Sequence, residues 1–455
     1  MLKIVLRNPV PDWISFFLVQ LFFNLTIFAE PFIVVIDPGH GGKHLAPNSI
    51  YGDKYDPETG KYLDAYRPGA SYQGLEENIE TYEIAEIIQN LLNSLNSETG
   101  KKKFQKILNK YNYKEKKDQT DIAVFLSRKS GYRDFYSEEK SDINGNYRLY
   151  DYPDIYSGQI LPGTISRINA LKPHLVVSIH LTTGQTEKYG ALSSVITPGY
   201  DTYKIALEYL KANPVEQKII KEDFNNSFYA DWFNNGGERT LFEWFLCDAW
   251  IYFTGYWSQK DGFKADTDKY RGLRQNYVSW TYSDKSRPDV SPLIKHSGQL
   301  NENLLNSIFW TREKSEPEKW RRENGMEGYG GDNLYASNEI LRYVRFGLQK
   351  NGVFTYKKLP ELKKPYLSTW TIPTYINAIS AYIELAYLNN KYDYLRMKNY
   401  KYVQAEAIAV GIYSLLNGIP QSPTNKEKNF PSGNPIDFSK YENFNGSNYF
   451  KTVTP

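Results

Sequence analysis

Residues 32–42 are FIVVIDPGHGG, an abrupt change from five apolar side chains to a polar, glycine-rich segment. Runs of β-branched residues that are apolar on both faces are typical of strands buried within a parallel sheet. Proline and repeated glycines end such a strand in a loop. The stretch therefore predicts a buried strand over 32–36, followed by a loop that carries His40.

Further along the chain, similar apolar runs alternate with helical patterns. Strands are predicted at 122–126 (IAVFL), 175–179 (LVVSI) and 379–385 (ISAYIEL), and helices at 77–95, 164–170, 338–348 and 402–416. Strands that alternate with helices predict an α/β fold with a mostly parallel sheet flanked by helices. The segments that separate these elements are long, so the fold is expected to contain long irregular insertions.

Polar residues stand at or near the ends of three of these strands. His40 follows the first strand, His180 directly follows 175–179, and Glu384 lies near the end of the last one. In open sheets of this class, binding sites form beyond the carboxyl ends of the strands. We therefore expect these three side chains to meet in one site.

Two histidines and nearby carboxylates have the composition of a hydrolytic zinc site. Such a zinc typically takes three protein ligands from histidine and carboxylate side chains and leaves one position for water. His40 and His180 supply two nitrogens, and the third ligand is expected at the start of the next helix, from Glu76 or Glu77. A further carboxylate must accept the proton of the water and pass it to the leaving nitrogen. Glu384 is the candidate, since a glutamate in an apolar strand is costly unless it is paired or functional.

Each residue also has a purely structural interpretation. His40 is compatible with a loop cap, His180 with a satisfied strand-end histidine, and Glu384 with a buried carboxylate paired with Arg128. Their joint placement at equivalent strand ends favours the functional interpretation. No pattern assigns a function to the other histidines: His44, His174 and His296.

The N-terminus has the pattern of a secretory signal peptide over residues 1–29. Lys3 and Arg7 precede an apolar stretch from 13 to 29 that is short and interrupted for a membrane span. Cleavage is expected after Ala29, and an uncleaved anchor is the alternative. The protein is therefore expected to be exported to the periplasm or cell envelope, without membrane contact beyond this segment.

The net charge and the amino-acid composition limit the functional classes that fit this chain. The net charge of +3 excludes a strongly basic nucleic-acid binder. The one basic run, from Lys101 to Lys117, is predicted to be a solvated helix face and loop, with attraction to an anionic envelope polymer as the alternative.

Cys247 is the single cysteine, so no intrachain disulfide forms, and we predict a buried structural thiol. The 39 Tyr, 23 Phe and 9 Trp exceed the needs of one core, so some rings are expected to line a surface that binds sugars and peptides.

Several blocks, in order along the chain, resemble the zinc-dependent N-acetylmuramoyl-L-alanine amidases, a catalytic family of cell-wall hydrolases. Residues 36–42 (IDPGHGG) resemble the opening motif of this family, and residues 69–85, with GLEE and TYEIA, resemble its second block. The later blocks are resembled by VFLSR at 124–128, the stretch 167–180 that ends in LVVSIH, and AYIELAYLNN at 381–390. The opening motif at 36–42 and the block at 167–180 are the most specific.

The resemblance implies that Zn²⁺ is held by His40, Glu77 and His180, with Glu384 as the general base. The spacing of the second block selects Glu77 over Glu76. The implied reaction is hydrolysis of the amide bond between N-acetylmuramic acid and L-alanine in peptidoglycan. The family usually has asparagine two residues after the last histidine, where this chain has Thr182, so a different group is available there to position the substrate.

The resemblance also organises the chain into regions. We expect an amidase-like catalytic domain over 30–418, with insertions at about 43–68, 129–160 and 200–330, and an extended tail over 419–455. Residues 200–330 hold most of the tryptophans and lie where some relatives carry a helix that covers the zinc until an activator protein binds. This segment is predicted to be such a lid or a substrate platform. Partial deletion would raise wall hydrolysis for a lid and lower it for a platform.

Two other functions are compatible with the same residues. A zinc peptidase acting on stem peptides or proteins would use the same metal chemistry, but only an amidase frees intact peptides from glycan. A non-catalytic peptidoglycan-binding scaffold is the second alternative. A pure binder has no need of a general base, so Glu384 argues against a scaffold.

Overall fold

A computed structural model describes the segments that build the sheet and its helical layers. These are residues 31–41, 53–56, 61–64, 68–111, 121–128, 147–149, 152–153, 157–184, 186–196, 208, 212–225, 329–355, 358–367, 372–374, 376, 378–420 and 429–441. The predicted signal segment, Cys247, His44, His296 and most of the three predicted insertions lie outside these ranges.

The described part of the chain contains thirteen strands and seven α-helices. The strands are β1 (Phe32–Pro38), β2 (Asp53–Asp56), β3 (Lys61–Asp64), β4 (Ser71–Tyr72), β5 (Leu75–Glu76), β6 (Ile122–Leu126), β7 (Tyr152–Pro153), β8 (Ile160–Leu161), β9 (Leu175–Thr182), β10 (Ala191–Ile196), β11 (Glu361–Leu362), β12 (Tyr366–Leu367) and β13 (Ile379–Tyr387). The helices are α1 (Glu77–Asn93), α2 (Glu98–Lys110), α3 (Thr164–Ala170), α4 (Pro214–Asn225), α5 (Tyr329–Lys350), α6 (Lys391–Asn399) and α7 (Lys401–Asn417). Short 3₁₀ turns lie at Ser94–Asn96, Ile372–Thr374 and Phe438–Tyr441.

Seven strands form the main sheet, whose order is β11-β10-β13-β9-β1-β6, with β12 also paired to β10. The pairs β6–β1, β1–β9 and β9–β13 are parallel, whereas β10 runs antiparallel to β13. The predicted α/β class with a mostly parallel sheet is confirmed. The carboxyl ends of β1, β9 and β13 consequently lie side by side along one edge.

Burial explains why these strands occupy the centre of the sheet. All residues of β9 except the last are buried, and eight of the nine in β13 are buried. Helix α1 packs on β1, β6 and β9, α5 packs on β13 and β10, and α7 packs on both α1 and α5. Burying one Val, Leu or Ile side chain contributes about 1.5–3 kcal/mol, so this layered core stabilises the edge on which the site stands.

Several element bounds differ from those predicted, because pairing partners extend strands beyond their local pattern. Helix α3 has the predicted bounds, but β9 continues to Thr182, so His180 lies inside the strand and does not follow it. Backbone pairing to β13 extends β9, since Glu384 aligns with His180 and Tyr387 aligns with Thr182.

Strand β10 and helix α6 were not predicted from the sequence. Two central serines weaken the apolar pattern of β10, although all six of its residues are buried. Helix α6 starts at a side-chain cap, because Asn390 accepts hydrogen bonds from the backbone N–H groups of Tyr392 and Asp393.

The basic run falls largely on α2, as predicted for a solvated helix face. Lys101, Lys102, Lys103 and Lys106 are exposed, whereas Phe104 and Leu108 are buried on the opposite side. Lys110 forms an ion pair of 3.0 Å with Glu406. Residues 112–117 of the run lie outside the described ranges.

Parts of the predicted insertions and tail are also described. Strands β2 and β3 pair within 43–68, and α4 lies within 200–330. In the tail, the N–H of Ile436 donates to the carbonyl of Leu415, and Phe438 contacts Phe32. Residues 429–441 are therefore packed against the domain. Within the described ranges, no helix combines the length and apolar character needed to cross a membrane.

Candidate metal centre

His40 stands just beyond the end of β1. The N–H of Gly39 donates to the carbonyl of Ile179 at 2.8 Å, which holds the start of this loop against β9. His40 itself has φ of 58°, a left-handed conformation that is uncommon outside glycine and that costs of order 1–3 kcal/mol. Its side chain is 29% exposed, and its Nε2 lies 3.8 Å from Oε1 of Glu77.

Glu77 is the first residue of α1, and its carboxylate is held by backbone donors. The N–H of Ala70 donates to Oε2 at 2.6 Å, and the N–H of Leu181 donates to Oε1 at 2.8 Å. Gly69 has φ of +88°, and a Cβ there would lie 2.5 Å from Oε2. The loop before the helix therefore needs glycine at 69, both for its conformation and for the close approach of the carboxylate.

His180 lies in β9 and faces the same carboxylate. Its Nδ1 is 3.1 Å from Oε1 of Glu77, and its side chain is 8% exposed. Burial lowers the pKa of His180 to about 4, against an opposing effect of Asp37. The imidazole is therefore neutral at neutral pH, which is the state in which histidine binds a metal ion.

Together, these three side chains form a compact donor group. One ligand atom from each of His40, Glu77 and His180 lies within 4.8 Å of the others. Among the described residues, this is the only such group of histidine, cysteine and acidic side chains. Glu76, the alternative ligand, is exposed in the β4–β5 hairpin and is not part of it.

Glu384 is placed beside this group by strand register. It aligns with His180 on the parallel strand β9, so both side chains project from the same face of the sheet on neighbouring strands. Its Oε2 is inaccessible to solvent and has no hydrogen-bond partner among the described residues. Burial, and then the charge of Glu77, raise the pKa of Glu384 well above its usual value.

Arg128 does not pair with Glu384, so the structural alternative for this glutamate is wrong for the described residues. The Nη2 of Arg128 donates at 2.6 Å to the backbone carbonyl of Asn78, in the first turn of α1. Its guanidinium also lies over the rings of Tyr82 and Tyr147, 5.2 and 5.5 Å from their centroids. This buried cation therefore anchors the end of α1 from which Glu77 projects.

Behind the donor group lies a second buried acid, Asp37. Ser127 and Ser178 donate to its two carboxylate oxygens at 2.6 and 3.0 Å. Burial raises the pKa of Asp37, while these hydroxyls and His180 act in the opposite direction. With both oxygens occupied, Asp37 ties β1, β6 and β9 together at their carboxyl ends.

The donor group fits a divalent zinc ion. Two imidazoles and one carboxylate form a ligand set that zinc uses in catalytic sites. Burial raises the pKa of Glu77, against the opposing effect of His40, so its charged form is costly without a cation beside it. The chemistry of these residues is therefore suited to a metal ion that compensates this charge.

Sequence reasoning missed three contributors to the site: Gly39, Gly69 and Tyr382. Gly39 and Gly69 were visible as motif glycines, but their neighbours were not: His180 approaches Gly39 from a distant segment, and Glu77 approaches Gly69 from the start of the next helix. The Tyr382 ring stacks on His180, with centroids 4.1 Å apart and planes at 14°. Its position two residues before Glu384 placed it on the same face of a predicted strand, which was the available signal.

No protein-family model matches the chain. No curated protein matches it either.

Among solved structures, two similar folds are N-acetylmuramoyl-L-alanine amidases from Mycobacterium smegmatis and Clostridium difficile 630. The first is 12% identical, covers 85% of this chain and 97% of its own, and has a TM-score of 0.32. The second is 13% identical, covers 85% and 98%, and has a TM-score of 0.29. An amidase from Clostridioides difficile in complex with a lipoprotein is 13% identical, covers 43% and 68%, and has a TM-score of 0.16.

Proposed function

We propose that this protein is a zinc-dependent hydrolase that cleaves the amide bond between N-acetylmuramic acid and L-alanine in peptidoglycan. The observation that carries the proposal is the donor group His40, Glu77 and His180, with Glu384 in register beside it on the next strand. Such a set supports metal-assisted hydrolysis in general. The choice of this particular amide is supported by the sequence blocks that resemble the amidase family.

In this proposal, His40, Glu77 and His180 hold the zinc ion. When bound, zinc polarises the scissile carbonyl and makes water more acidic. The chain supplies the conditions for binding: His180 is neutral, and the backbone N–H groups of Ala70 and Leu181 fix the carboxylate of Glu77.

Glu384 moves the proton in this scheme. Its carboxylate takes a proton from the attacking water as the oxygen–carbon bond forms, and returns it to the leaving nitrogen as the carbon–nitrogen bond breaks. A carboxylate in water is a weak base, but burial raises the pKa of Glu384 and so increases its affinity for a proton. Oε2 has no competing hydrogen bond from the described residues.

The surrounding organisation is part of the same proposal. We place the catalytic domain at 30–418 and the signal segment at 1–29, with export to the periplasm or cell envelope, where peptidoglycan is the partner. The insertion at 200–330 acts as a lid or a substrate platform, and a lid would require an activator protein.

Purified protein tests the proposal directly. We expect about one zinc per chain, and digestion of purified peptidoglycan that releases intact stem peptides beginning with L-alanine. Glu384→Gln keeps the shape but removes the base, so it should retain zinc and lose roughly 10²–10⁴-fold in rate. Glu339→Gln is the matched control: this glutamate is buried, and its carboxylate accepts hydrogen bonds from Ser432 and Gly433 in the C-terminal segment.

Three results would contradict the proposal in different ways. Fragments cut within the stem peptide indicate a zinc peptidase. Zinc and wall binding without turnover, in wild type and Glu384→Gln alike, indicate a scaffold or a missing activator. Equal loss of rate in the Glu339→Gln control would mean that Glu384 acts through stability and not as a base.

A further inference from the structure

The imidazole of His180 is held between two surfaces. On one side lies Gly39, where a Cβ would be only 2.4 Å from both Cε1 and Nδ1 of the ring. On the other side the ring of Tyr382 is stacked at 4.1 Å and nearly parallel. The flat faces of the imidazole are therefore both covered, and the ring cannot rotate without displacing one of its neighbours.

One hydrogen bond reaches this ring, between Nδ1 of His180 and Oε1 of Glu77 at 3.1 Å, and it lies on the side of the metal ligands. A histidine that binds a metal ion usually donates from its other nitrogen to a carboxylate, a backbone carbonyl or water, and that bond sets the direction of the ring. The Nδ1 of His180 faces Glu77, and no described residue makes a hydrogen bond to its Nε2. Since no described residue bonds to Nε2, packing must set the direction of the ring when Nδ1 binds the metal.

Strand register shows why Tyr382 can supply this packing. Tyr382 aligns with Ser178 on β9, and Glu384 aligns with His180, so both β13 side chains project on the face occupied by the imidazole. Tyr382 is 7% exposed and stands in the middle of a paired strand. One rigid strand thus carries both the ring that contacts His180 and the carboxylate beside it.

We infer that Tyr382 is a positioning residue: its ring holds the His180 imidazole against Gly39 so that Nδ1 points toward the metal. The inference rests on the proposed metal centre but not on the identity of the substrate. The aromatic face is the required feature, and the hydroxyl is not.

Metal binding by the full-length protein tests this inference without any assay of turnover. Tyr382→Phe keeps the ring, whereas Tyr382→Leu and Tyr382→Met remove it and retain apolar volume. We expect Tyr382→Phe to bind zinc within about 2-fold of wild type, and the other two to bind about 10-fold or more weakly, in the range measured for residues that orient metal ligands. Competition with a chromophoric chelator gives the affinities, and the visible spectrum of the Co²⁺-substituted protein reports the change in ligand geometry.

Tyr413→Leu provides the matched control, because Tyr413 is equally buried but lies in α7 and contacts Phe104. It should lose a similar amount of thermal stability as Tyr382→Leu and keep wild-type zinc affinity and Co²⁺ spectrum. Wild-type affinity in both Tyr382→Leu and Tyr382→Met would overturn the inference, as would equal weakening in Tyr413→Leu. A wild-type protein that binds no metal would overturn both this inference and the proposed function, whereas one that binds metal but fails to cleave wall material would overturn only the function.

Discussion

The two ends of β9 carry the same type of side chain in contrasting surroundings. His174 precedes the strand, and its backbone and ring both bond to β1: its N–H donates to the carbonyl of Ile33 at 2.8 Å, and its Nδ1 accepts from the N–H of Ile33 at 3.0 Å. Phe32 and Phe438 contact the ring edge to face. This histidine therefore joins the start of β9 to β1 and has a structural role.

At the opposite end of β9, the partner of the His180 ring is a carboxylate, whereas the partner of the His174 ring is a backbone N–H. Its Nδ1 faces Glu77, its ring faces are covered by Gly39 and Tyr382, and Glu384 stands beside it with an unpartnered oxygen within the described residues. Ring packing is thus common to both histidines, and burial and packing alone do not mark a functional one. Two buried carboxylate groups beside the ring do, because their charged forms are costly unless a cation or a bound proton compensates them.

The largest effect is expected when one of the three proposed zinc ligands is removed. A four-ligand zinc site has an apparent binding free energy of about 10–16 kcal/mol, so one protein ligand is worth roughly 3–4 kcal/mol, or several hundredfold in affinity. His180→Ala should lose zinc by that factor, as measured by chelator competition. Unchanged zinc affinity would place the metal centre elsewhere.

Acidity should weaken the metal-free protein through the same histidine. The pKa of His180 is about 4 in the folded state and about 6.5 in the unfolded state. The unfolded chain therefore binds a proton at this histidine as the pH falls below 6.5, whereas the folded chain does so only near pH 4. The contribution of His180 to stability is highest above pH 6.5 and falls progressively toward pH 4. The loss reaches about 3 kcal/mol in the free energy of unfolding. Urea titrations with chelator at pH 7.5 and 4 measure it, with His180→Gln as reference because Glu77 and Glu384, whose raised pKa values act with the opposite sign, are present in both proteins. A difference between the two proteins that is independent of pH would contradict this prediction.

Gly39→Ala tests the packing of His180 by disturbing one face of its ring. The added Cβ would stand 2.4 Å from the imidazole, so the ring must move, at a cost of about 1–3 kcal/mol typical of overpacking. Zinc affinity should fall with it. Gly74→Ala is the control: Gly74 has φ of +85° but open space around it, so this variant is strained without touching the site. A zinc affinity lowered equally in both variants would point to a general loss of stability.

The smallest effect on zinc affinity is expected at His174, before the start of β9. His174→Ala removes the hydrogen bond from the Ile33 N–H and the contacts with Phe32 and Phe438, which should lower the free energy of unfolding by about 1–3 kcal/mol. Zinc affinity should not change, since the residue lies at the opposite edge of the sheet. Denaturant unfolding and chelator competition on one preparation measure both quantities. Loss of zinc here would remove the distinction between the two ends.

Local pattern was sufficient for much of this fold. The apolar runs located β1, β6, β9 and β13, and helical spacing located α1, α3, α5 and α7, because the periodicity of burial is written in consecutive residues. The α/β alternation also implied that His40, His180 and Glu384 would share one edge. What the pattern missed was β10, which has two buried serines, and α6, which begins at an Asn390 cap.

The sequence by itself determined which residue types stand at the carboxyl edge: two imidazoles and two carboxylates, in an order that favours metal-assisted hydrolysis. Only the tertiary structure showed that the carboxylate of Glu77 faces both imidazoles, that Glu384 is aligned in register with His180, and that Tyr382 covers the ring. The physical reason is that these contacts join segments up to about two hundred residues apart. Their geometry depends on strand register and close packing, which no local run of side chains encodes.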